Sequence, residues 1–259
     1  MPSQWLALTA GVDSRKHARQ LRQSWERLLA GELRSESGQA LAGMRPAIVD
    51  SWRRSLGTGL DPIDLLAPLE ADRSEMRERW AEHPLGSLAH VLRNRLENIA
   101  SDSDSLIVVS DASGLLLHLE GRASLRERAA EMNFVEGARY SEATAGTNGI
   151  GTVLAADHAL QVFAFEHFNE RHHGWTCSGA PIHDPRSGRV LGVVDLSSPW
   201  ELVHPRSLEL VATAARALEQ QLADARRDYD ARLRRRYAGL MARETDLLVG
   251  RDGFVLAGG

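Results

Sequence analysis

The chain has 259 residues, 43% hydrophobic and 25% charged, which is enough apolar content for a core and too structured a balance for disorder. A formal charge of −4 gives no overall electrostatic footprint for nucleic acid, and no apolar run approaches the roughly 20 residues of a membrane span. A single cysteine, Cys177, excludes an internal disulfide and a multi-cysteine metal site, and a single lysine, Lys16, leaves no phosphate-loop or Schiff-base lysine in the core.

The N-terminus lacks the basic start and sustained apolar centre of a signal peptide, so a cytoplasmic location is expected by default. From Ser14 to Ala30, apolar residues at Ala18, Leu21, Trp25, Leu28 and Leu29 keep three- and four-residue spacing, which predicts an amphipathic helix stopped by Gly31. A polar patch, Ser35 to Gln39, separates it from a second helix, Pro46 to Leu56, which Gly57 to Pro62 breaks. Further helices are predicted between Arg73 and Glu82 and between Leu85 and Ala100, so residues 1–100 read as a helical N-terminal segment.

At Ser105 the period changes. Ser105 to Ser110 is a buried-strand run, Asp111 to Gly114 a turn and Leu115 to Leu119 the return strand, followed by a short helix over 122–132. A run of small residues, Ala143 to Gly151, leads into an apolar helix-like stretch. Gln161 to Phe165 and Trp175 to His183 have strand composition, and Asp184 to Gly188 is a loop that turns the chain into Arg189 to Ser197. About five strands with helices between them predict an α+β or α/β sandwich around one sheet, a sensory domain over 101–200.

A long helix is expected from near Pro205. Apolar and small residues at Leu208, Val211, Ala215, Leu218, Leu222, Ala225 and Tyr229 alternate three- and four-residue steps, the seam of a coiled coil. Residues 201–243 are therefore expected to form a dimerising signalling helix in a homodimer, with Leu208, Val211, Ala215, Leu218 and Leu222 at the interface. The basic cluster Arg232 to Arg236 reads as a solvated helix face beside Asp224, Asp228 and Asp230 rather than a DNA contact. Residues 244–259 read as a hairpin that either opens a further PAS- or GAF-like module or pairs elsewhere, because two strands alone are barely stable.

Gly146-Thr-Asn-Gly-Ile-Gly151 has the glycines of an anion cradle but no strand before it, so it is expected to pack a helix start on the sheet, with Thr147 or Asn148 touching ligand and Asn148 alternatively capping the helix. Glu166, His167, Glu170, His172 and His173 are residue types that bind metal or ligate haem, but their segment reads as an exposed loop or interdomain contact. Cys177 and His183 would lie about 20 Å apart along one strand, too far for a thiol–imidazole pair. With no nucleophile–base pair in sight, an enzyme is not expected. Phe163, Phe165, Trp175 and Cys177 are candidates for the apolar wall of a ligand cavity, a role that ordinary core packing explains as well.

Several motifs carry a family resemblance: Ser51-Trp-Arg-Arg-Ser-Leu-Gly-Thr-Gly-Leu-Asp-Pro62, Ala145-Gly-Thr-Asn-Gly-Ile-Gly-Thr152, Glu166-His-Phe168, Trp175-Thr-Cys-Ser-Gly-Ala-Pro-Ile-His-Asp-Pro185 and Gly192-Val-Val-Asp-Leu196. In this order they resemble the GAF-containing N-terminal region of the acetoin-catabolism regulators, activators of the sigma-54-dependent, Fis-type class. The resemblance implies a GAF-like antiparallel sheet with flanking helices. It also implies a small-molecule effector relayed to a DNA-binding output. The ATPase domain and helix-turn-helix usual in that family are not visible, and no G-x-x-x-x-G-K-[ST] occurs, so a truncated sensor or a variant with a different output is expected. A haem- or metal-based sensor and a ligand-free protein-interaction module are the alternative readings.

Overall fold

The structure, a computed structural model, describes residues 4–9, 11–31, 44–102, 104–204, 206–238, 247–250 and 253–258. The patch Ser35 to Gln39, Pro205 and the residues Arg251 and Asp252 of the terminal hairpin lie outside the described residues. Four helices open the chain: α1 (Ser14–Leu29), α2 (Pro46–Gly57), α3 (Arg73–Glu82) and α4 (Ala89–Asp102). Their starts follow local chemistry. Asp13 accepts the Lys16 amide at 3.0 Å before α1, and α2 begins on Pro46, whose missing N–H would have had no helical partner. Before α3, Asp72 accepts the Glu75 amide while Glu75 accepts that of Asp72, both at 3.0 Å. The helix expected from Leu85 begins as a 3-10 turn, Gly86–Leu88, and becomes α-helical at Ala89.

The strands β1 (Leu106–Asp111), β2 (Leu116–Glu120), β3 (Leu160–Phe163), β4 (Trp175–His183) and β5 (Val190–Pro199) form one antiparallel sheet in the order β2-β1-β5-β4-β3. This is an α+β architecture, the antiparallel sheet with flanking helices that the family resemblance implies. Short helices α5 (Ala123–Ala130), α6 (Glu142–Ala145) and α7 (Gly151–Ala156) fill the connection from β2 to β3, and α8 (Ser207–Tyr237) follows β5.

Alternation along the strands sends two sets of side chains to opposite faces. On the front, Leu106, Val108 and Val193 pack with Trp25 of α1, with Ile48 and Trp52 of α2, and with Ile150 and Val153. On the rear, Ile107, Val109, Val194 and Leu196 pack with Leu92 and Leu96 of α4 and with Val211 and Leu218 of α8. The α8 seam is thus engaged within the chain. Val211, Ala215 and Leu218 are buried in the rear core, and Leu208 and Leu222 are half-buried. A three-four repeat provides one apolar stripe, which a sheet can cover as well as a second helix can.

Strands β6 (Leu247–Val249) and β7 (Val255–Gly258) pair with each other outside the main sheet. The hairpin rests on neighbouring elements: Arg234 of α8 donates to the Leu256 carbonyl at 2.7 Å, and the Arg186 guanidinium lies 4.7 Å from the centre of the Phe254 ring. Among the described residues, no helix is long and apolar enough to cross a membrane.

Candidate functional site

The site stands on β4 and β5, whose register sets Cys177 opposite Ser197 and Gly179 opposite Asp195. The small-residue run lies directly over these strands. A Cβ at Gly149 would come within 2.7 Å of Asp195 Oδ1, and Gly146 takes a left-handed φ of 67° where a Cβ would meet the Phe168 ring at 2.5 Å. Glycine at both positions lets the loop approach the sheet. Asn148 fixes the loop: its Oδ1 accepts the amides of Ile150 and Gly151, both at 2.9 Å, and its Nδ2 donates to the Gly146 carbonyl at 2.8 Å.

Between loop and sheet is a buried chamber of about 10 Å³, room for the centre of one water molecule. Its accessible wall is apolar, with Met132, Phe134, Ile150 and Trp175 around it, and Tyr140, His167, His172, Cys177, Asp195 and Ser197 also border it. Cys177 Sγ lies 3.4 Å from His167 Nε2 and 3.1 Å from Ser197 Oγ, and Ser197 Oγ lies 2.5 Å from Asp195 Oδ2. His167 Nδ1 sits 2.9 Å from the Ala164 carbonyl. On the other wall, the Tyr140 hydroxyl donates to the Met132 carbonyl at 2.9 Å and lies 3.3 Å from His172 Nε2. Among the described residues, Asp195 Oδ1 and His172 Nδ1 have no partner, although Asp195 is 0% and His172 3% exposed.

Burial sets the charge state of this cluster. It pushes the Asp195 carboxyl up to about 7, against the opposing hydrogen bond from Ser197. Burial, with Asp195 adding to it, also raises the Cys177 thiol well above its ordinary range. The same desolvation takes His167 down to about 4 and His172 well below the usual imidazole value. The thiol and the imidazole beside it are therefore both neutral. A cysteine nucleophile needs the reverse, a thiolate beside an imidazolium.

Of the residues expected to contact ligand, Trp175, Cys177 and Asn148 line the chamber, while Thr147, Phe163 and Phe165 do not. Asn148 spends its polar atoms on the backbone of its own loop. The Thr147 hydroxyl lies 2.7 Å from Ser51 Oγ, which donates to Glu142. The expected strand to Phe165 ends at Phe163, because Ala164 takes a left-handed φ of 45° and a 3-10 turn, Ala164–Glu166, follows. Phe163 consequently packs beside Trp200 and His17, and Phe165 beside His173.

The histidine segment, expected as an exposed loop or interdomain contact, buries Glu166, His167 and His172, each at most 3% exposed, while Glu170 is exposed and His173 half-buried. Its cover comes from the N-terminal helices. Trp52 Nε1 donates to the Glu166 carbonyl at 2.7 Å, Trp25 Nε1 to the Phe168 carbonyl at 3.0 Å, and Arg45 pairs with the Glu166 carboxylate. Helix α2 also grips the other side of the chamber, where Ser51 Oγ donates to Glu142 Oε1 and Arg54 Nε to Glu142 Oε2, both at 2.5 Å. Among the described residues, no three histidine, cysteine or acidic side chains converge on a metal position. A bulge between Ile182 and His183 turns His183 toward α8, where Nδ1 lies 2.9 Å from Glu219 Oε1 and Nε2 2.7 Å from Asp157 Oδ1. The imidazole beside the thiol is His167 instead. Asp195, Ser197 and Tyr140 were not among the expected contacts. An acid inside the apolar run Gly192 to Leu196 was the available signal, since a buried carboxyl needs a reason to be there.

Comparison with known proteins places this architecture. The sequence profile of the family described as MimR, N-terminal domain, matches residues 28–224. An uncharacterized 47.3 kDa protein from the thcA 5′ region of Rhodococcus erythropolis is 37% identical over 221 residues, covering 84% of this chain and 50% of that protein. The acetoin dehydrogenase operon transcriptional activator AcoR of Bacillus subtilis is 29% identical over 216 residues, covering 83% of this chain and 35% of the activator. The chain thus spans half or less of the length of these curated relatives. The N-terminal region of Escherichia coli DhaR, solved in complex with DhaL, shares the fold with a TM-score of 0.67 at 20% identity, over 77% of this chain and 68% of that one.

Proposed function

The chain belongs to the family of MimR N-terminal domains, and from that membership we propose that it is the ligand-sensing regulatory region of a transcriptional activator, with a small-molecule effector bound in the chamber on β4 and β5. One observation carries the reading: two side chains buried in the chamber wall, Asp195 and His172, each hold a polar atom without a partner. Such atoms cost free energy unless something occupies the space before them. The effector shifts the balance of two packings of the sheet through its differential affinity for them. Cys177, Asp195 and Ser197 face the chamber, while Ala180, Ile182, Val194 and Leu196 of the same strands face α8. Displacement of β4 and β5 by a ligand thereby reaches α8, which relays it to a DNA-binding output outside this chain. Pairing of two copies along the outer turns of α8, around Leu222, belongs to the same proposal, as does a cytoplasmic location.

Native mass spectrometry of the chain purified from its host tests the reading. A small adduct on the wild-type protein that is lost in Gly149→Val is expected; an adduct on both proteins, or on neither, refutes it. The small volume of the chamber favours one alternative, a module closed by its own side chains and controlled by a protein partner. That alternative predicts no adduct in either protein.

A further inference from the structure

Strand β4 runs past its neighbour. Its pairing with β3 stops where Leu160 faces Gly179, so the bulged end of β4 that carries His183 lies on an open edge of the sheet. A side chain there can reach both faces, and the His183 ring meets an acid on each. Nδ1 lies 2.9 Å from Glu219 Oε1 of α8, the helix on the rear face, and Nε2 lies 2.7 Å from Asp157 Oδ1. Asp157 ends α7, which packs on the front, and takes a left-handed φ of 46° there. Carboxylate oxygens only accept, so each contact needs a hydrogen on the ring, and only the imidazolium carries both. The His183 backbone amide also donates to Glu219 Oε1, at 2.8 Å, so that acid is fixed to β4 whatever the ring does.

We infer that the His183 imidazolium is a proton-operated latch, fastening α7, the helix that follows the glycine run, to α8 around the edge of the sheet. Loss of the proton to water leaves one ring hydrogen for two acids. That hydrogen stays with Glu219, which the backbone amide already holds in place, and Asp157, its side chain 59% exposed, passes to solvent. The charged surroundings favour the closed form. The end of α7 contributes Asp157 and His158, whose ring stacks on Trp5 with centroids 4.0 Å apart. Helix α8 contributes Glu219, Arg216, which donates to Thr213, and Glu209, which pairs with Arg206; all line one groove with His183. In the loop that follows, Asp184 Oδ1 accepts the amides of Arg186 and Ser187, and across on β5 the residue opposite is Val190. Desolvation lowers the imidazole pKa, but the hydrogen bonds to Glu219 and Asp157 outweigh it and carry the group above its ordinary 6.5. The sign follows: the latch is closed below pH 6.5 and opens as pH rises through the raised value. It acts between α7 and α8 whatever occupies the chamber.

NMR of the imidazole C–H resonances of the full chain, from pH 5 to pH 9, tests the latch, with the resonance missing from His183→Gln assigning the ring. The wild-type ring is expected to titrate above pH 6.5. Asp157→Asn and Glu219→Gln should each lower that midpoint by about half a pH unit, the scale of a part-exposed ion pair. Hydrogen exchange reads the fastening itself. Protection of the Leu154, Ala155 and Ala156 amides, corrected for the intrinsic rate, is expected to fall about threefold as pH passes the His183 midpoint, the same half unit expressed as an opening equilibrium. In His183→Gln that protection should not change with pH. Thermal unfolding checks that each variant folds, and the two wild-type measurements decide alone if one does not. A wild-type midpoint at or below pH 6.5, or one that neither acid variant moves, overturns the paired imidazolium. Protection of α7 with no inflection at the His183 midpoint, or an inflection that survives in His183→Gln, overturns the latch.

Discussion

Asp195→Asn probes the buried acid in the absence of any ligand. Burial raises the carboxyl from its ordinary 3.8 to about 7, so the folded chain retains a proton that the unfolded chain releases between those pH values. The sign follows directly: this group favours folding at low pH and opposes it increasingly as pH climbs through the window toward 7. The gap of 7 − 3.8, at about 1.36 kcal/mol per pH unit, gives a cost of about 4 kcal/mol at pH 8 and about 2 kcal/mol at pH 5. Asparagine repeats the neutral acid and escapes that cost. Urea unfolding of both proteins from pH 5 to pH 9 isolates the effect, since other titrating groups cancel in the difference. Asp195→Asn is expected to be the more stable by up to about 4 kcal/mol at pH 8, or roughly 10 °C in a thermal midpoint, with the advantage shrinking toward pH 5. A variant less stable than wild type at pH 8, or a difference that does not change with pH, would refute the neutral-acid assignment.

Trp52→Phe removes the indole N–H that satisfies the Glu166 carbonyl and is expected to cost about 1–3 kcal/mol for the stranded acceptor, read as a lower urea midpoint. An unchanged midpoint would show that this bond does not hold the histidine segment. Leu218→Ala, at a side chain 0% exposed in the rear core, is expected to lose about 2–5 kcal/mol through the cavity it leaves. Dissociation of a dimer on sedimentation, with no loss of unfolding free energy, would instead return Leu218 to an intermolecular seam.

The elements were legible because their signals are local. Periodicity marks α1 to α4, Pro46 the start of α2, and β1, β4 and β5 stand out as runs of strand composition between turn signals. The chamber lining was legible at Trp175 and Cys177, through strand alternation, and at Asn148, in the glycine run. The burial of His167 and His172 depends on Trp25, Trp52 and Arg45, more than 100 residues earlier in the chain, and no periodicity within a polar segment reports such a cover. Phe163 and Phe165 were assigned to the cavity because a strand was extended through Ala164, whose left-handed backbone nothing in its side chain announces. His183 pairs with Glu219 and Asp157 and not with the thiol. Alternation holds only while a strand is regular, and a bulge reverses the side chain that follows it. For α8, three- and four-residue steps mark one apolar stripe, and a stripe does not name the surface that covers it.

The double grip of α2 has a practical consequence for anyone transplanting this domain. A fusion begun at residue 101, where the strand pattern starts, would keep every strand of the sheet yet lose the indoles and guanidinium groups that meet Glu142, Glu166 and Phe168. The excised piece would carry a loosened rim around an intact floor, and a negative binding assay on it would say nothing about the whole domain. A graft that begins ahead of Asp13 keeps rim and floor together.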